Sequence, residues 1–472
     1  MARKPTINEA SLRSLGPKRL AALVLQACNR DDVIDKKVRL MLAAKGGGDA
    51  LDVELEKRIK SLASGGTFYD WRDAGDLVST IDNIRSNITD ELGSKNPRAA
   101  VVRLWQLIDA TNTIMRHVDD SSGLTSDSLQ GAVADLGKML QKSGVDDAAA
   151  LAERVHVSFF DNGYCVKDGL VSAVAPALGA DGRVALSARF EADIAATNIV
   201  VPSAPGGDRD QDSRRSTAAR GLMDIADAER DVDAFIRAAE LSPYVWMHVD
   251  EAAERLLKAK RPSEALEWLD RMAPDHHKWR DPGGDGMVGL KLQALHALSR
   301  HDEAQVLRWQ MFERYLWPVY LRDYVKRLPD FEDEPVIRKA VAHALTHPLL
   351  LAALTFLVDW PDLDAAEKLI MTRAAEIDGS HYEHLNHAIE RLEEKHPLAT
   401  TMLLRTKIDS VLARASSTQY GHAARDLARA AGLAPMIETL GTIPTHAAYL
   451  AEMRVKHARK TSFWPKVQEV GL

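Results

Sequence analysis

The sequence predicts an all-α fold, organised as a tetratricopeptide-like α-solenoid of helical hairpins with degenerate repeats. Apolar residues recur at helical spacing along most of the 472 residues. The sustained alternation that is typical of strands is missing, and the only weak strand candidate lies near Val184. The second half also repeats one pattern of large and small residues, as arrays of helical hairpins do.

The chain opens with a predicted pair of helices. Pro17 stands in the first turn of the first helix, where a missing N–H is tolerated, and the apolar face of that helix carries Leu20, Leu23, Val24 and Ala27. Asp31 or Asp32 caps the second helix, and the glycines at 46–48 stop it. A further pair follows, with one helix from about Arg72 to Leu92 and another that is capped by Asn96 and begins at Pro97.

Residues 201–216 combine Pro, Gly, Asp, Arg and Ser without an apolar face, which predicts a linker or a long loop. We therefore expect a helical domain over 1–200 and a tetratricopeptide-like repeat domain over 217–450. A basic segment over 451–472 completes the chain.

Two segments of the repeat domain share a spacing of large, small, large, small and large residues. The first has Val249, Ala253, Leu256, Ala265 and Leu269, and the second has Leu349, Ala353, Phe356, Ala365 and Leu369. Looser copies surround Ala304 and Ala399. Small residues let antiparallel helices approach closely, so each segment predicts one helical hairpin.

Cysteine content and charge restrict the function. Cys28 and Cys165 are too few and too far apart in sequence for a disulfide framework or a cysteine zinc site, which favours a reducing cytoplasm. The net charge of −7 argues against a globally basic nucleic-acid binder. Residues 1–17 lack the apolar core of a secretory signal, and the apolar run 349–358 is too short to span a bilayer.

Two motifs that are typical of ligand sites favour ordinary structural interpretations. Residues 283–291 resemble a phosphate-binding loop, but Leu290 occupies the lysine position and no strand precedes it. His381, His384 and His387 lie three residues apart on one predicted helix, with no cysteine or HExxH motif to complete a zinc site. We predict neither a cofactor nor a metal site.

The segment from His117 to Gly123 brings together an imidazole, two carboxylates and two hydroxyls. This chemistry could support a metal-assisted hydrolase that uses the residues from His117 to Asp120. The same run is good turn and N-cap chemistry, which is the favoured interpretation.

The C-terminal segment could bind nucleic acid. After Leu450 there are five Lys or Arg residues against two Glu, a net charge of +3. The candidates for gripping phosphates and stacking on a base are Arg454, Lys456, Arg459, Lys460 and Trp464. Alternatively, Phe463 and Trp464 pack on the end of the solenoid.

The chain resembles an uncharacterised bacterial family of all-helical proteins, known as a domain of unknown function. The resemblance covers nearly the whole length and is carried by the segments starting at Phe68 (FYDWRDAGDLVSTID), His117 (HVDDSSG), Asp161 (DNGYCVKDGL), Leu256 (LLKAKRPSEALEWL), His396 (HPLAT), Tyr420 (YGHAARDLA) and Arg459 (RKTSFW). Similar helical repeats accompany bacterial SWIM-type zinc fingers, but two isolated cysteines cannot form that finger. The resemblance therefore implies a helical fold and no established activity.

The function that we predict is a non-enzymatic scaffold that binds a protein partner in a concave groove. Candidate partner-binding residues are Tyr420, His422, Arg425, Asp119 and Asp120. His422 and Arg425 share one helix face and could meet a carboxylate, although Arg425 could instead pair with Asp409.

Overall fold

A computed structural model describes residues 7–64, 66, 68–197, 209–271 and 285–472. The described residues are all-helical, which confirms the predicted all-α class, and the only β-type pairing among them is an isolated bridge between Tyr69 and Val118. The weak strand candidate near Val184 lies in a helix. The chain forms two compact units, Met1–Ala273 and Pro274–Leu472.

The helices of the first unit surround a continuous apolar core. In chain order they are α1 (Glu9–Arg13), α2 (Gly16–Cys28), α3 (Asp32–Gly46), α4 (Gly48–Ala63), α5 (Ala74–Ser86), a π-helical turn (Asn87–Leu92), α6 (Gly93–Lys95), α7 (Pro97–Asp109), α8 (Thr111–Met115), α9 (Leu124–Ser143), α10 (Ala148–Phe160), α11 (Leu170–Ala196), α12 (Arg209–Glu229), α13 (Val232–Leu241), a 3₁₀ turn (Val245–His248), α14 (Val249–Lys258) and α15 (Pro262–Asp270).

Side-chain caps begin several of these helices, and the sequence predicts the cap at Asn96. The Asn96 side chain accepts a hydrogen bond from the Ala99 N–H at 3.1 Å, and Pro97 is the first residue of α7. Asp147 caps α10 and Asp231 caps α13 in the same way. Each cap satisfies a backbone donor that has no partner inside its helix, which fixes the residue at which the helix begins.

Helix α11 is interrupted at Gly179, whose φ of 65° suits a glycine and breaks the regular hydrogen bonding. The Arg183 guanidinium donates to the Ala175 carbonyl at 3.3 Å and to Glu229 on α12 at 2.9 Å. One side chain thus satisfies a carbonyl at the break and holds α12 beside it.

The predicted linker over 201–216 is wrong for its second half. Helix α12 begins at Arg209, so residues 209–216 are helical, while residues 201–208 lie outside the described residues. Arg214 donates to Asp193 on α11, and Arg215 donates to the carbonyls of Leu241 and Ile194. These polar contacts replace the apolar face on which the sequence-based prediction of a helix depends.

The described residues of the second unit include two apolar clusters. Its described helices and turns are α16 (Asp285–Ala297), α17 (His301–Tyr315), α18 (Pro318–Val325), α19 (Asp333–Thr346), α20 (Leu350–Asp359), α21 (Leu363–Arg373), a 3₁₀ turn (Ala374–Glu376), α22 (Tyr382–Leu392), α23 (Pro397–Ala413), a 3₁₀ turn (Ser417–Gln419), α24 (Tyr420–Leu433), a 3₁₀ turn (Ala434–Met436), α25 (His446–Lys456) and α26 (Trp464–Glu469).

Four helical hairpins share the same turn. The first helix ends with a residue in the left-handed conformation, and the next N–H bonds back to the carbonyl five residues earlier, at 2.8–3.3 Å. The left-handed residues are Arg230, Lys260, Ser299 and Ala415. The same backbone bond, from the Asp362 N–H to the Leu357 carbonyl, joins α20 to α21.

The small residues of the sequence repeat lie inside the hairpins. Ala265, Ala304 and Ala399 are fully buried, and Ala365 is almost so. The apolar run 349–358 falls largely in α20, which packs in the core of the second unit. Within the described part of the chain, no helix has the length and apolarity needed to cross a membrane.

Candidate functional site

A groove of about 510 Å³ runs between α11, α12 and α13 of the first unit. Its apolar floor is formed by Leu222, Ile225, Ala226, Ala238 and Leu241. The charged side chains around it are Glu191, Glu229, Glu240 and Arg237. Two of these glutamates are paired with arginines, Glu229 with Arg183 at 2.9 Å and Glu240 with Arg271 at 3.0 Å. We call this the α12 groove. An apolar floor within a rim that carries both signs of charge suits an amphipathic ligand.

Helix α12 forms the floor because its two faces differ in polarity. Leu222 and Ile225 point to the groove, whereas Arg220, Asp224 and Asp227 lie on the opposite face, as the helical period requires. The charged face packs against the 3₁₀ turn and α14, where Arg255 forms two hydrogen bonds to Asp227, at 2.5 and 2.6 Å.

Arg220, His248 and Glu251 form the centre of the charged face. Arg220 donates two hydrogen bonds to Glu251, at 3.0 and 3.2 Å, and His248 Nδ1 lies 3.5 Å from the same carboxylate. Burial disfavours the charged form of Glu251, but the hydrogen bonds from His248 and Arg220 outweigh it and lower the pKa of Glu251 to about 2. The Glu251 carboxylate therefore stays ionised and holds α14 to α12.

Asp224 lies beside this cluster and behaves differently. Its side chain is buried, and its Oδ2 atom has no hydrogen-bond partner. Burial raises the pKa of Asp224 to about 7 despite the opposing charge of Arg220, and Asp227 adds to the rise. Near neutral pH the carboxyl group is partly protonated, so the charged face of α12 carries a proton-binding group at its centre.

A second buried charge cluster fixes the wall that α11 supplies. Asp193 on α11 accepts from Arg214 on α12 and lies 2.5 Å from His156 Nε2 on α10. The His156 ring packs edge-on against Phe160, 5.0 Å between centroids. Burial opposes ionisation of Asp193, but its bonds to Arg214 and His156 lower the pKa of this carboxyl group. Helices α11 and α12, which flank the groove, are thus joined by the ionised side chains of Asp193 and Arg214.

Sequence reasoning missed this site. The polar composition of the start of α12 predicts a linker, and the regular spacing that identifies the helix begins only after it. Arg220, Asp224 and Asp227 stand four and three residues apart, with Leu222 and Ile225 between them. A charged face opposite an apolar face is typical of an amphipathic helix, and this spacing is the signal in the sequence that could have identified α12.

The candidate hydrolase residues form a turn and a helix cap. Asp120 accepts hydrogen bonds from the N–H groups of Thr125 and Ser126 at 2.8 and 3.0 Å, at the start of α9. Burial opposes ionisation of Asp120, but these bonds outweigh it and lower its pKa. Asp119 accepts from the Ser121 N–H, and His117 Nδ1 contacts the Thr113 carbonyl. The geometry agrees with the turn and cap interpretation.

Tyr420 is not available to a partner, which corrects that prediction. Its side chain is buried and its ring packs edge-on against Phe463, 5.6 Å between centroids. His422 and Arg425 are exposed and lie 3.0 Å apart, Nδ1 to Nη2. Asp409 accepts from the Tyr449 hydroxyl at 2.8 Å and has no described contact with Arg425, so the alternative pairing of Arg425 with Asp409 is wrong.

The candidate nucleic-acid residues divide into a packed ring and exposed cations. The Trp464 indole is half-buried, donates to the His457 carbonyl at 3.0 Å and packs on Phe463. Lys460 is also half-buried, while the exposed cations are Arg454, Lys456 and Arg459. Phe463 and Trp464 therefore pack on α24 and α25 as the alternative interpretation expects, and the cations form the accessible part of the segment.

The histidine run lies at the surface, and the described part of the glycine-rich segment is helical. His387 Nε2 lies 2.8 Å from Asp359, and His381 lies 3.9 Å from Asp378. The glycine-rich segment lies in α16 from Asp285 onward, while Gly283 and Gly284 lie outside the described residues. Across the described ranges, no group of three or more His, Cys, Asp or Glu side chains is arranged to hold a metal ion.

Comparison with known proteins identifies a family but no activity. The model of a family of unknown function (DUF6880) matches residues 2–466. No curated protein matches the chain. Among solved structures, the chain is similar to a "circular tandem repeat protein with novel repeat topology and enhanced subunit contact surfaces", at 14% identity over 98% of this chain and 86% of the other, with a TM-score of 0.15. A TM-score this low carries no argument.

Proposed function

The chain belongs to the family of unknown function DUF6880, and we propose that it is a non-enzymatic helical-repeat scaffold that binds a protein partner in the α12 groove. The observation that carries the proposal is the apolar floor of the groove, at Leu222 and Ile225, beside the carboxylate of Glu191, which has no arginine partner among the described residues. The partner that fits is an amphipathic helix, whose apolar side covers the floor while a cation on its polar side meets Glu191.

The turns support a tandem array as the framework of this scaffold. The hairpins closed at Arg230, Lys260, Ser299 and Ala415 use the same backbone geometry. Buried alanines follow two of these turns, Ala265 after Lys260 and Ala304 after Ser299, and Ala399 is buried in the helix that precedes the turn at Ala415. We therefore propose tetratricopeptide-like repeats in which each hairpin covers the next. Its helical repeats resemble those that accompany bacterial SWIM-type zinc fingers, but two isolated cysteines cannot form the finger itself, so the resemblance supports the repeat framework and no zinc-dependent role.

A cytoplasmic setting is part of the proposal. Cys28 and Cys165 are both free thiols, and Cys165 is exposed. Exposed thiols are compatible with a reducing compartment.

Binding of a labelled model peptide tests the groove. The probe is a 20-residue helix with leucines on one face and lysines on the other, followed by fluorescence anisotropy with the full chain. We expect Glu191→Lys to weaken binding severalfold, because it removes one attraction and adds one repulsion at the rim.

A matched control is Glu438→Lys, which makes the same change at an exposed glutamate of the second unit. It should bind the peptide as the unmodified chain does. Equal affinity for all three proteins would contradict binding in the α12 groove.

Nucleic-acid association through the C-terminal segment is the second candidate. Arg454, Lys456 and Arg459 are exposed, and the Lys466 side chain lies next to Gly421 together with that of Arg425. These cations could contact phosphates. Mobility shifts of duplex DNA and single-stranded RNA at several salt concentrations test it, with Lys456→Glu and Arg459→Glu combined expected to abolish the shift. Lys57→Glu and Lys326→Glu form the control, and equal shifts for both double variants would contradict this candidate.

A further inference from the structure

A small pocket of about 90 Å³ lies where α3, α4 and α5 of the first unit meet. Its inner side is apolar, because Leu40 and Ile84 are almost fully buried and belong to the core of this unit. The rest of its lining is polar and comes from Lys37, Arg58, Ser79, Thr80 and Asn83. We call this the α3–α5 pocket. Of the described residues that line it, two are cations and none carries a carboxylate.

Arg58 supplies a buried positive charge whose hydrogen bonds are only partly satisfied. Its side chain is 10% exposed, and its Nη2 atom lies 2.7 Å from Glu54, one turn earlier on α4. The Nε atom is buried and has no hydrogen-bond partner. A buried donor that has lost its water is unfavourable until it finds an acceptor. The guanidinium therefore favours a ligand that brings acceptor oxygens.

Lys37 makes the surroundings of the pocket net positive. This exposed residue lies three residues from Leu40 on α3, so both side chains lie on the side of the helix that lines the pocket. Within the described ranges its ammonium group has no ion pair, whereas Glu54 balances the charge of Arg58. Counting the three groups together leaves one positive charge.

Three neutral side chains of α5 add hydrogen-bonding groups to the pocket. The side-chain amide of Asn83 has no partner among the described residues. The Ser79 and Thr80 hydroxyls each donate to the carbonyl four residues earlier, at 2.9 Å. Those carbonyls also accept a backbone N–H, as they do throughout an α-helix. Each hydroxyl can therefore turn its proton toward a ligand without leaving a carbonyl unpaired.

The size and the charge of the pocket restrict the ligand. One buried water needs about 10–15 Å³, so about 90 Å³ has room for a group of a few heavy atoms. Two lining cations without a lining carboxylate disfavour a metal ion and favour an anion. A guanidinium and an ammonium group are the side-chain donors that bind phosphate oxygens most strongly.

We propose that the α3–α5 pocket binds a phosphate group, held by Lys37 and Arg58 with the polar side chains of α5 as neutral donors. The pocket shares no lining residue with the α12 groove, so the inference does not depend on the proposed function. Free phosphate and the phosphate group of a small organic ester present the same oxygen atoms to these donors. The bound group joins α3 to α4 and α5, and it stabilises the first unit because it binds only the folded chain.

Isothermal titration calorimetry of the full chain with sodium phosphate, at pH 7 and constant ionic strength, tests the pocket. We expect saturable binding of one phosphate per chain. Lys37→Gln should weaken it by about tenfold, because one charge-assisted contact is lost. Arg58→Gln should abolish detectable binding, because it removes the guanidinium that supplies most of the donors.

Two further variants separate a specific site from general charge and from misfolding. Lys57→Gln removes an exposed cation of α4 that does not line the pocket, so it should bind phosphate as the unmodified chain does. Thr80→Val keeps the shape of the side chain and removes the hydroxyl, so it should weaken binding severalfold. Circular dichroism shows whether each variant is folded. If Arg58→Gln does not fold, Lys37→Gln and Thr80→Val carry the test, because Lys37 is exposed and Thr80 is partly exposed.

Titration with glycerol 3-phosphate identifies the source of the phosphate group. Tighter binding than that of inorganic phosphate supports an organic ester as the ligand, and weaker binding supports free phosphate. Absence of saturation by both compounds up to about 20 mM would overturn the inference. So would equal affinities of the unmodified chain and Lys37→Gln, or an equal loss in Lys57→Gln and Lys37→Gln, because the anion would then respond only to net charge.

Discussion

The carboxyl groups of Asp224 and Glu251 belong to one charged cluster, yet their pKa values shift in opposite directions. Burial raises the pKa of Asp224 to about 7, and the nearby charge of Glu251 contributes to that rise. Glu251 faces His248 and Arg220, whose hydrogen bonds outweigh burial and lower its pKa to about 2. The difference arises because Glu251 receives the available donors, while Asp224 Oδ2 is left without a partner.

Replacing Asp224 by Asn should make the stability of the first unit less dependent on pH. The folded pKa of Asp224 lies above its unfolded value of 3.8, so its contribution is fully present below that value and is lost as the pH rises through 7. The free energy of unfolding of the unmodified chain should fall by roughly 3 kcal/mol from this group between pH 5 and pH 9. Urea denaturation at both values checks it, and Asp227→Asn should keep most of the fall, because burial is the main cause of the raised pKa.

Replacing Glu251 by Gln should have the opposite pH dependence. The folded pKa of Glu251 lies below its unfolded value of 4.5, so its contribution is present above that value and is lost as the pH falls through 2. At pH 7 the Gln variant should be less stable by about 1–2 kcal/mol, a figure reduced for the partial exposure of the group. The difference from the unmodified chain should shrink at pH 3, and a gap that widens there would contradict the assignment.

The sequence predicts the helical class well because the helices of the core carry regular apolar faces. It fails at the start of α12, where Arg214 and Arg215 bond to Asp193 and to backbone carbonyls of neighbouring helices. Because these hydrogen-bond partners are distant in sequence, the composition of the segment alone predicts a linker. The hairpin turns are also difficult to predict from the sequence. Arg230 and Lys260 occupy the left-handed positions at which a glycine would indicate the end of a helix.

The candidate site is less predictable than the fold. The sequence predicts that Tyr420 contacts a partner. In the structure, Phe463, which immediately precedes α26, packs against the Tyr420 ring. A motif identifies residue types, whereas burial depends on which remote element covers them. The α12 groove is likewise formed by α11 and α13 together with α12, so no single segment carries its signature.

The burial of Tyr420 predicts a structural effect of its removal. Tyr420→Ala should lower the free energy of unfolding of the second unit by about 3 kcal/mol, because it leaves a cavity beside Phe463. His422→Ala, two residues away on an exposed part of the same helix, should change it by less than about 0.5 kcal/mol. Thermal and urea unfolding distinguish the two, and equal effects would contradict the packing at Tyr420.

Gly137 allows α9 and α11 to approach closely. A Cβ at this position would lie 2.1 Å from the Ala173 carbonyl oxygen, which is backbone and cannot move aside alone. Gly137→Ala should therefore destabilise the first unit by about 2 kcal/mol or more, despite the better helix propensity of alanine. Gly75→Ala is the control, because nothing lies within 4 Å of the added atom. It should be neutral or stabilising by up to about 1 kcal/mol, and a stable Gly137→Ala variant would show that the two helices lie farther apart.

The two candidate hydrolase aspartates should differ in their effect on stability. Asp120 satisfies the N–H groups of Thr125 and Ser126 at the start of α9, so Asp120→Ala should cost about 1–2 kcal/mol of unfolding free energy. Asp119 bonds only to the Ser121 N–H within its turn, at 3.2 Å, and Asp119→Ala should cost less than about 1 kcal/mol. Asp120→Asn should recover part of the loss, because its side-chain oxygen still accepts from the helix N-terminus. Urea denaturation of the three variants at pH 7 measures the order, and an Asp119 effect as large as that of Asp120 would contradict the capping role.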